Sequence, residues 1–208
     1  MIAGALAASD LNSESCATAP RLPLPPVGLS MELRFSWGDD IGSGSEIITA
    51  VEAPGATFVQ SIDIQDGGRR AMPPESRVLG LFPVKSEFSG RSKHYAIDPA
   101  AALAGLRVGQ TTAVAFGETL ALNGKTHKRN SAAKVTFLGC SRMDVAGVME
   151  PVVNFRVVVD SFIVSKTDKK VRVAQTDSVY SISQTYGWRI REQVSDGGLL
   201  EATKISLK

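Results

Sequence analysis

The sequence predicts a mainly β fold: a curved or spiral antiparallel sheet, a barrel or half-barrel, with one short helix. Three observations predict it. Apolar and polar residues alternate in run after run, as where Met31, Leu33, Phe35 and Trp37 interleave with Glu32, Arg34 and Ser36. A strand sends successive side chains to opposite faces, so such runs bury one face. Turn signals rich in Gly, Asn, Asp and Ser separate the runs at regular spacing, the pattern of hairpins that wrap or close. Helix signals gather only once, where Asp98 caps Pro99 and the run AAALAGL, before Gly105 weakens it.

Taken in order, residues 1–28 read as a signal remnant and Pro-rich arm, and residues 29–208 as a single antiparallel β domain. In MIAGALAASDLNS, Ala5-Leu6-Ala7 before Ala8 has the small-x-small form of a secretory signal end, without a basic region before it. The alternative is a disordered Ala-rich terminus. Pro20, Pro23, Pro25 and Pro26 exclude a helix interior or central strand and leave an extended arm. After the first strand, GDDIGSGS reads as a turn-rich connection. SEIITAVEA and ATFVQSIDI follow as strands across a turn at APGA. QDGGRRAMPPES reads as an irregular loop and RVLGLFPVKSEF as one apolar strand, with Pro83 marking an edge or bend.

Beyond the helix, TTAVAFGETLAL and AAKVTFLGC flank Asn123-Gly124, a strong hairpin signal. PVVNFRVVVDSFIVSK and KKVRVAQTDSVYSI pair across a polar turn, and YGWRIREQV pairs with LLEATKISL across SDGG. In TYGWRIREQV, Tyr186, Trp188 and Ile190 share one parity. Gly187 is expected to let the chain bulge so that Trp188 points inward, leaving Arg189 and Arg191 on the outer face.

Composition narrows the function classes. The longest run without a charge, Ser178–Trp188, is polar-rich and too short to span a bilayer. Net charge is +2 but unevenly placed: residues 1–104 carry 8 Lys and Arg against 12 Asp and Glu, and residues 105–208 carry 15 against 9. No Gly-x-Ser-x-Gly elbow, His-Glu-x-x-His helix, phosphate loop or Cys/His cluster is present, so the reading is of a protein without enzymatic activity, cofactor or metal. His94 and Asp98, four apart, are the one pair on which a hydrolase site would have to rest.

Three groups of residues remain as candidates. Leu33, Phe35, Trp37, Phe58, Tyr186 and Trp188 either line an apolar pocket on a wrapped sheet or pack its core. Lys125, Lys128, Arg129, Lys169 and Lys170, with His127 among them, mark two basic hairpin tips. These either hold an anionic envelope polymer or lipid headgroups or simply keep sheet edges apart. No aromatic residues interleave with these charges, which argues against nucleic acid. Cys16 and Cys140 are the only thiols; they form a disulfide in an oxidising compartment, or else Cys140 is a small buried hydrophobe.

The order LAGLRVGQ, then KVTFLGCSRMDVAGVMEPVVNFRV, then VYSISQTYGWRIREQVS resembles a poorly characterised group of exported bacterial β proteins. Gly109, Cys140, Val145, Ala146, Gly147, Gly187, Trp188 and Arg191 carry the match, which covers residues 95–208. Val148-Met149 departs from the aromatic usual there, and SISQ after Tyr180 from a Pro-containing segment. The look is similar to that of half-barrel lipid and lipoprotein carriers of the envelope. The resemblance implies a periplasmic or secreted protein, peripheral to a membrane at most, with a lipid or envelope protein as partner. The expectation is therefore a non-enzymatic envelope protein that binds an apolar ligand or a partner on its curved sheet.

Overall fold

The computed structural model describes residues 16–52, 55–64, 68–86, 89–164 and 170–207. Its strands are β1 (Leu29–Trp37), β2 (Asp40–Glu52), β3 (Gly55–Ile64), β4 (Gly68–Ala71), β5 (Glu75–Val78), β6 (Phe82–Ser86) and β7 (Arg91–Tyr95). After α1 (Pro99–Leu103) come β8 (Thr111–Leu122), β9 (Lys125–Val145), β10 (Val148–Val164), β11 (Val171–Ser183), β12 (Arg189–Val194) and β13 (Leu199–Leu207).

These strands form one antiparallel meander that closes into a barrel. Each strand pairs with the next along the chain, except that β4 and β5 do not pair with each other and lie in line along the same edge of β3. The first and last strands, β1 and β13, then pair from Leu29 opposite Leu207 to Ser36 opposite Leu199 and close it. Hairpin turns therefore fall alternately at two ends. Gly38-Asp39, Asn123-Gly124 and residues 195–198 lie at one, here the turn end; the arm, α1 and Ala146-Gly147 lie at the other.

Two turns show why the chain reverses where it does. Asn123 and Gly124 both have positive φ, 51° and 72°. That geometry matches the twist of a two-residue hairpin and is what Asn-Gly supplies. Leu79 and Gly80 repeat it at 56° and 68°. The expected single strand RVLGLFPVKSEF is thus two, β5 and β6, folded back at a Leu-Gly turn inside an apolar run. This turn reaches β12 from across the ring: the Arg189 N–H donates to the Leu79 carbonyl at 3.1 Å.

The turn sits where two cores meet. One holds Val78, Leu81, Phe82, Phe116, Val135, Phe137, Phe155 and Ile182. The other holds Leu29, Met31, Ile48, Phe58, Trp188 and Ile190. Phe58 and Trp188 meet edge to face with centroids 5.6 Å apart, a favoured aromatic geometry.

Asp98 caps α1 as expected, its carboxylate accepting from the Ala100 N–H at 2.9 Å. The arm runs along the barrel. Ala19 N–H donates to the Leu106 carbonyl at 2.7 Å, and Cys16 is joined to Cys140 with Cα atoms 5.6 Å apart. Gly187 has φ +61°, and a Cβ there would lie 1.8 Å from the Pro23 carbonyl oxygen, so the turn before Trp188 needs glycine on both counts.

Four expectations are corrected. GDDIGSGS is strand from Asp40 on, because Gly42 and Gly44 sit opposite Phe35 and Leu33 in the ladder. Within QDGGRRAMPPES, Gly68–Ala71 is strand β4. The segment from Lys125 to Asn130 is strand rather than hairpin tip, since only Asn123-Gly124 turns. Finally, Arg189 is buried rather than outward: the ladder slips between Ser181 and Ile182, a bulge that turns both Arg189 and Ile190 toward the core.

Candidate functional site

Each core continues toward the turn end into a cavity. Beyond the second core lies an apolar one of about 300 Å³, lined by Phe35, Trp37, Ile62, Val194, Leu199 and Leu200. Its space comes from glycines. A Cβ on Gly42 would lie 2.1 Å from the Phe35 ring, and one on Gly198 would lie 2.7 Å from the Trp37 ring. The rings lie flat on backbone where side chains would otherwise fill the strand face. Trp37 remains 54% exposed at the rim.

The six apolar residues singled out by the sequence therefore separate. Phe35 and Trp37 line the cavity, and Phe58 and Trp188 are fully buried in the core behind it. Tyr186 packs on that core at the arm end. Leu33 is buried between them, beside the slip in the β1–β13 ladder at Glu32/Leu33.

A polar layer stands between core and cavity. Arg189 donates to Glu46 at 2.6 Å and to Glu192 at 2.7 Å. Glu46 also accepts from Gln60 at 3.3 Å and Trp188 at 3.3 Å, and Glu192 accepts from Tyr180 at 2.8 Å. Burial opposes the charge of Arg189, and the two carboxylates outweigh it, so its pKa stands above the ordinary arginine value. Burial, reinforced by Glu192, pushes the Tyr180 hydroxyl up as well.

Beyond the first core lies a smaller cavity of about 220 Å³, whose wall includes Arg91, Lys93, Tyr95, Phe116, Ser161 and Tyr180. Glu192 lines both cavities. Behind the smaller one, the fully buried Glu118 carboxylate is met by Arg129 Nε at 3.0 Å, Arg91 Nε at 3.4 Å and Lys93 Nζ at 3.7 Å. This cluster does structural work too. The β9–β10 ladder ends at Ala133 opposite Val159. Past that point Arg129 donates to the Asp160 carbonyl, Arg91 to the Phe162 carbonyl, and the Phe162 N–H to Glu118. Side chains here take the place of the missing ladder.

Of these charged residues only Arg129, as part of a basic tip, and Arg189, as outward-facing, were named from the sequence; Glu46, Arg91, Lys93, Glu118 and Glu192 went unnamed, although a signal existed. Glu118 stands in phase with the buried Val114, Phe116 and Leu120, and Glu46 with Ile48. A charge on the apolar phase of a strand is either paired inside or lines a cavity.

The basic residues lie at the turn end. Lys125, His127 and Lys170 line one open hollow of about 500 Å³ with Phe162. Lys128 is exposed, whereas Arg129 is turned onto Glu118. His127, placed by the sequence at a basic tip, is half-buried with its ring 6.3 Å from that of Phe162. Lys169 lies outside the described residues. His94 is exposed on β7, Asp98 serves the helix cap, and neither lines these cavities.

No protein-family model and no curated protein sequence matches the chain. Solved structures do. The hypothetical lipoprotein YmcC from Escherichia coli (K12) is 13% identical, with a TM-score of 0.47 over 91% of this chain and 90% of that one. A Bacteroides fragilis protein provisionally described as exported, with a YmcC-like fold, is 8% identical, with a TM-score of 0.48 over 90% of this chain and 100% of its own. A Parabacteroides distasonis protein provisionally described as a lipoprotein is 9% identical, with a TM-score of 0.48 over 91% and 100%. At such identities the likeness concerns the path of the chain alone.

Proposed function

We propose that this chain is an exported, non-enzymatic binding protein of the bacterial envelope that takes an apolar ligand, or an apolar segment of a partner protein, at the turn end of its barrel. One observation carries the reading: Phe35 and Trp37 are held around an unfilled apolar cavity by Gly42 and Gly198, not packed into the core. An apolar hollow with a few polar groups at its floor is the usual form of a small-molecule site. Here the floor is Gln60 and Glu192. The Cys16–Cys140 bond supports an oxidising compartment, since such bonds persist outside the cytosol.

The test is native mass spectrometry of protein taken from a periplasmic fraction without reductant. A lipid-sized adduct that disappears in Trp37→Ala supports the reading. A bare mass in both proteins, with no uptake of an added neutral lipid, removes the ligand half and leaves a partner protein to be sought.

A second reading has one observation in its favour, the hollow shared by Lys125, His127 and Lys170. It would suit an anionic polymer or headgroup. Charge reversal at Lys125 and Lys128 should then weaken binding to vesicles of anionic lipid in a salt-dependent way. Unchanged binding rules those residues out.

A further inference from the structure

We propose that the smaller cavity is a binding site for a small amphiphilic carboxylate, its head held by Arg91 and Lys93 and its short tail by Phe116, Val157 and Ile163. The inference is argued separately from the apolar site at Trp37; Glu192 lines both cavities but makes none of the proposed head or tail contacts.

Charge is the first argument. Three cations, Arg91, Lys93 and Arg129, share the single carboxylate of Glu118. Two positive charges are left over within this cluster, and Lys93 is only 4% exposed, against 24% for Arg91 and 18% for Arg129; on the same wall Arg77 is already paired with Glu75 and Glu192 with Arg189. An uncompensated buried charge is costly, so an arrangement of this kind calls for a further anion. Of the cluster, Arg91 and Lys93 reach the cavity wall, while Arg129 and Glu118 stand behind it.

Unused hydrogen-bonding capacity is the second. Arg91 Nε makes no hydrogen bond, although it stands 3.4 Å from Glu118 Oε1, which also lacks one. Lys93 Nζ donates to Ser161 Oγ at 2.9 Å and lies 4.1 Å from the Phe116 ring centroid, which leaves an ammonium donor for a ligand. A carboxylate set between them accepts from both and restores the charge balance. Burial is the main cause of the lowered pKa of Lys93, about 8; Glu118 opposes it, and Arg91 and Arg129 add to the fall.

Shape and polarity select the class. Leu81, Phe82, Phe116, Val157, Val159 and Ile163 give the rest of the wall an apolar face, interrupted by Arg77, Thr176 and Glu192, so the ligand beyond its head is mainly apolar. The volume, about 220 Å³, is below the roughly 300–1,000 Å³ usual for drug-sized ligands, so the tail is short. A free phosphate would leave the apolar wall uncovered.

The experiment is calorimetric titration of the full, disulfide-bonded chain with hexanoate, 1-hexanol and inorganic phosphate. Hexanoate should bind at one saturable site, about tenfold or more tighter than hexanol, the usual weight of hydrogen bonds to a charged head. Lys93→Met should cost hexanoate about tenfold and leave hexanol unchanged. In the unmodified chain, hexanoate binding should weaken from about pH 7 to about pH 9 as Lys93 loses its proton. Trp37→Ala should change none of this, which separates the result from the fate of the apolar site. Absence of hexanoate binding, equal binding of hexanol, a Lys93→Met variant as tight as the unmodified chain, or preference for phosphate would each overturn the proposal. If Lys93→Met does not fold, the pH series on the unmodified chain decides by itself.

Discussion

Lys93 loses most of its contact with water on folding, and burial is the main reason its pKa falls from 10.5 to about 8. Glu118 pulls the other way, and repulsion from Arg91 and Arg129 adds to the fall. The consequence for stability has a definite sign. Between pH 8 and 10.5 the unfolded chain binds more protons at this site than the folded one, so stability from Lys93 rises with pH there. Below pH 8 the cost is full. Lys93→Met should therefore stabilise the protein at neutral pH by about 1–3 kcal/mol, and the gain should shrink as pH rises through that window. Tyr95 and Tyr180, whose pKa values burial raises, act with the opposite sign above the ordinary tyrosine range. Thermal melts of both proteins across the window check the claim; a difference independent of pH contradicts it. Arg189 makes the companion case. Removing it strands Glu46, which is 1% exposed, so Arg189→Met should cost about 3–5 kcal/mol by denaturant unfolding. At this scale the sequence was legible only in part. Alternation placed Trp188 inward. Arg189 follows it by one residue and should have pointed out, but a one-residue slip opposite Ile182 brings it in, and no residue pattern encodes that slip.

At the scale of elements, hairpins announced themselves where turn chemistry is strong. Asn123-Gly124 and the capped helix at Asp98 were readable because each satisfies a specific backbone need. The Leu79-Gly80 turn was not, because it lies inside an apolar run and its reward is tertiary. It brings Gly80 against β12, where a Cβ would stand 2.8 Å from Arg189 Cβ and 3.0 Å from its nitrogen. Gly80→Ala would add strain at φ +68° to that clash. The expected loss is about 2–4 kcal/mol, well above the ordinary glycine-to-alanine effect in a turn, measured by urea unfolding. A neutral result would mean the turn does not hold the two cores together. The arm is a second element whose role is testable. The Cys16–Cys140 bond spans 124 residues of sequence, and closing so long a loop constrains the unfolded chain by about 4–5 kcal/mol. Cys16→Ser with Cys140→Ser should lower the melting temperature by about 8–15 °C for a chain of this size. A shift of a degree or two would show that the arm's backbone hydrogen bonds suffice.

For the whole molecule, the antiparallel order followed from alternation and turns, but the strand count fell short at β4, β5–β6 and β7, and closure was not legible. A barrel and a half-barrel use the same alternating strands. What separates them is the pairing of β1 with β13, the first strand with the last. The division into two cores, each opening into its own cavity, was equally hidden. It depends on a turn crossing the ring and on charges placed on the buried phase of β2, β7 and β8. The aromatic residues named from the sequence fell on both sides of that division between filled core and open mouth. Gly42 and Gly198 decide which, since they lie beneath the two rings left at the mouth.

The central claim is that this mouth is an apolar site, and fluorescence tests it most directly. The chain has two tryptophans. Trp188 is fully buried and Trp37 stands at the rim. The neutral dye N-phenyl-1-naphthylamine, which the basic residues should not attract, would be titrated into the native protein with tryptophan excitation. The account predicts a saturable rise in dye emission sensitised by Trp37. Trp37→Phe should lose the sensitised part, and Gly198→Val, which drives the ring into the hollow, should abolish binding. Unsaturable emission, or binding that survives both substitutions, would contradict it.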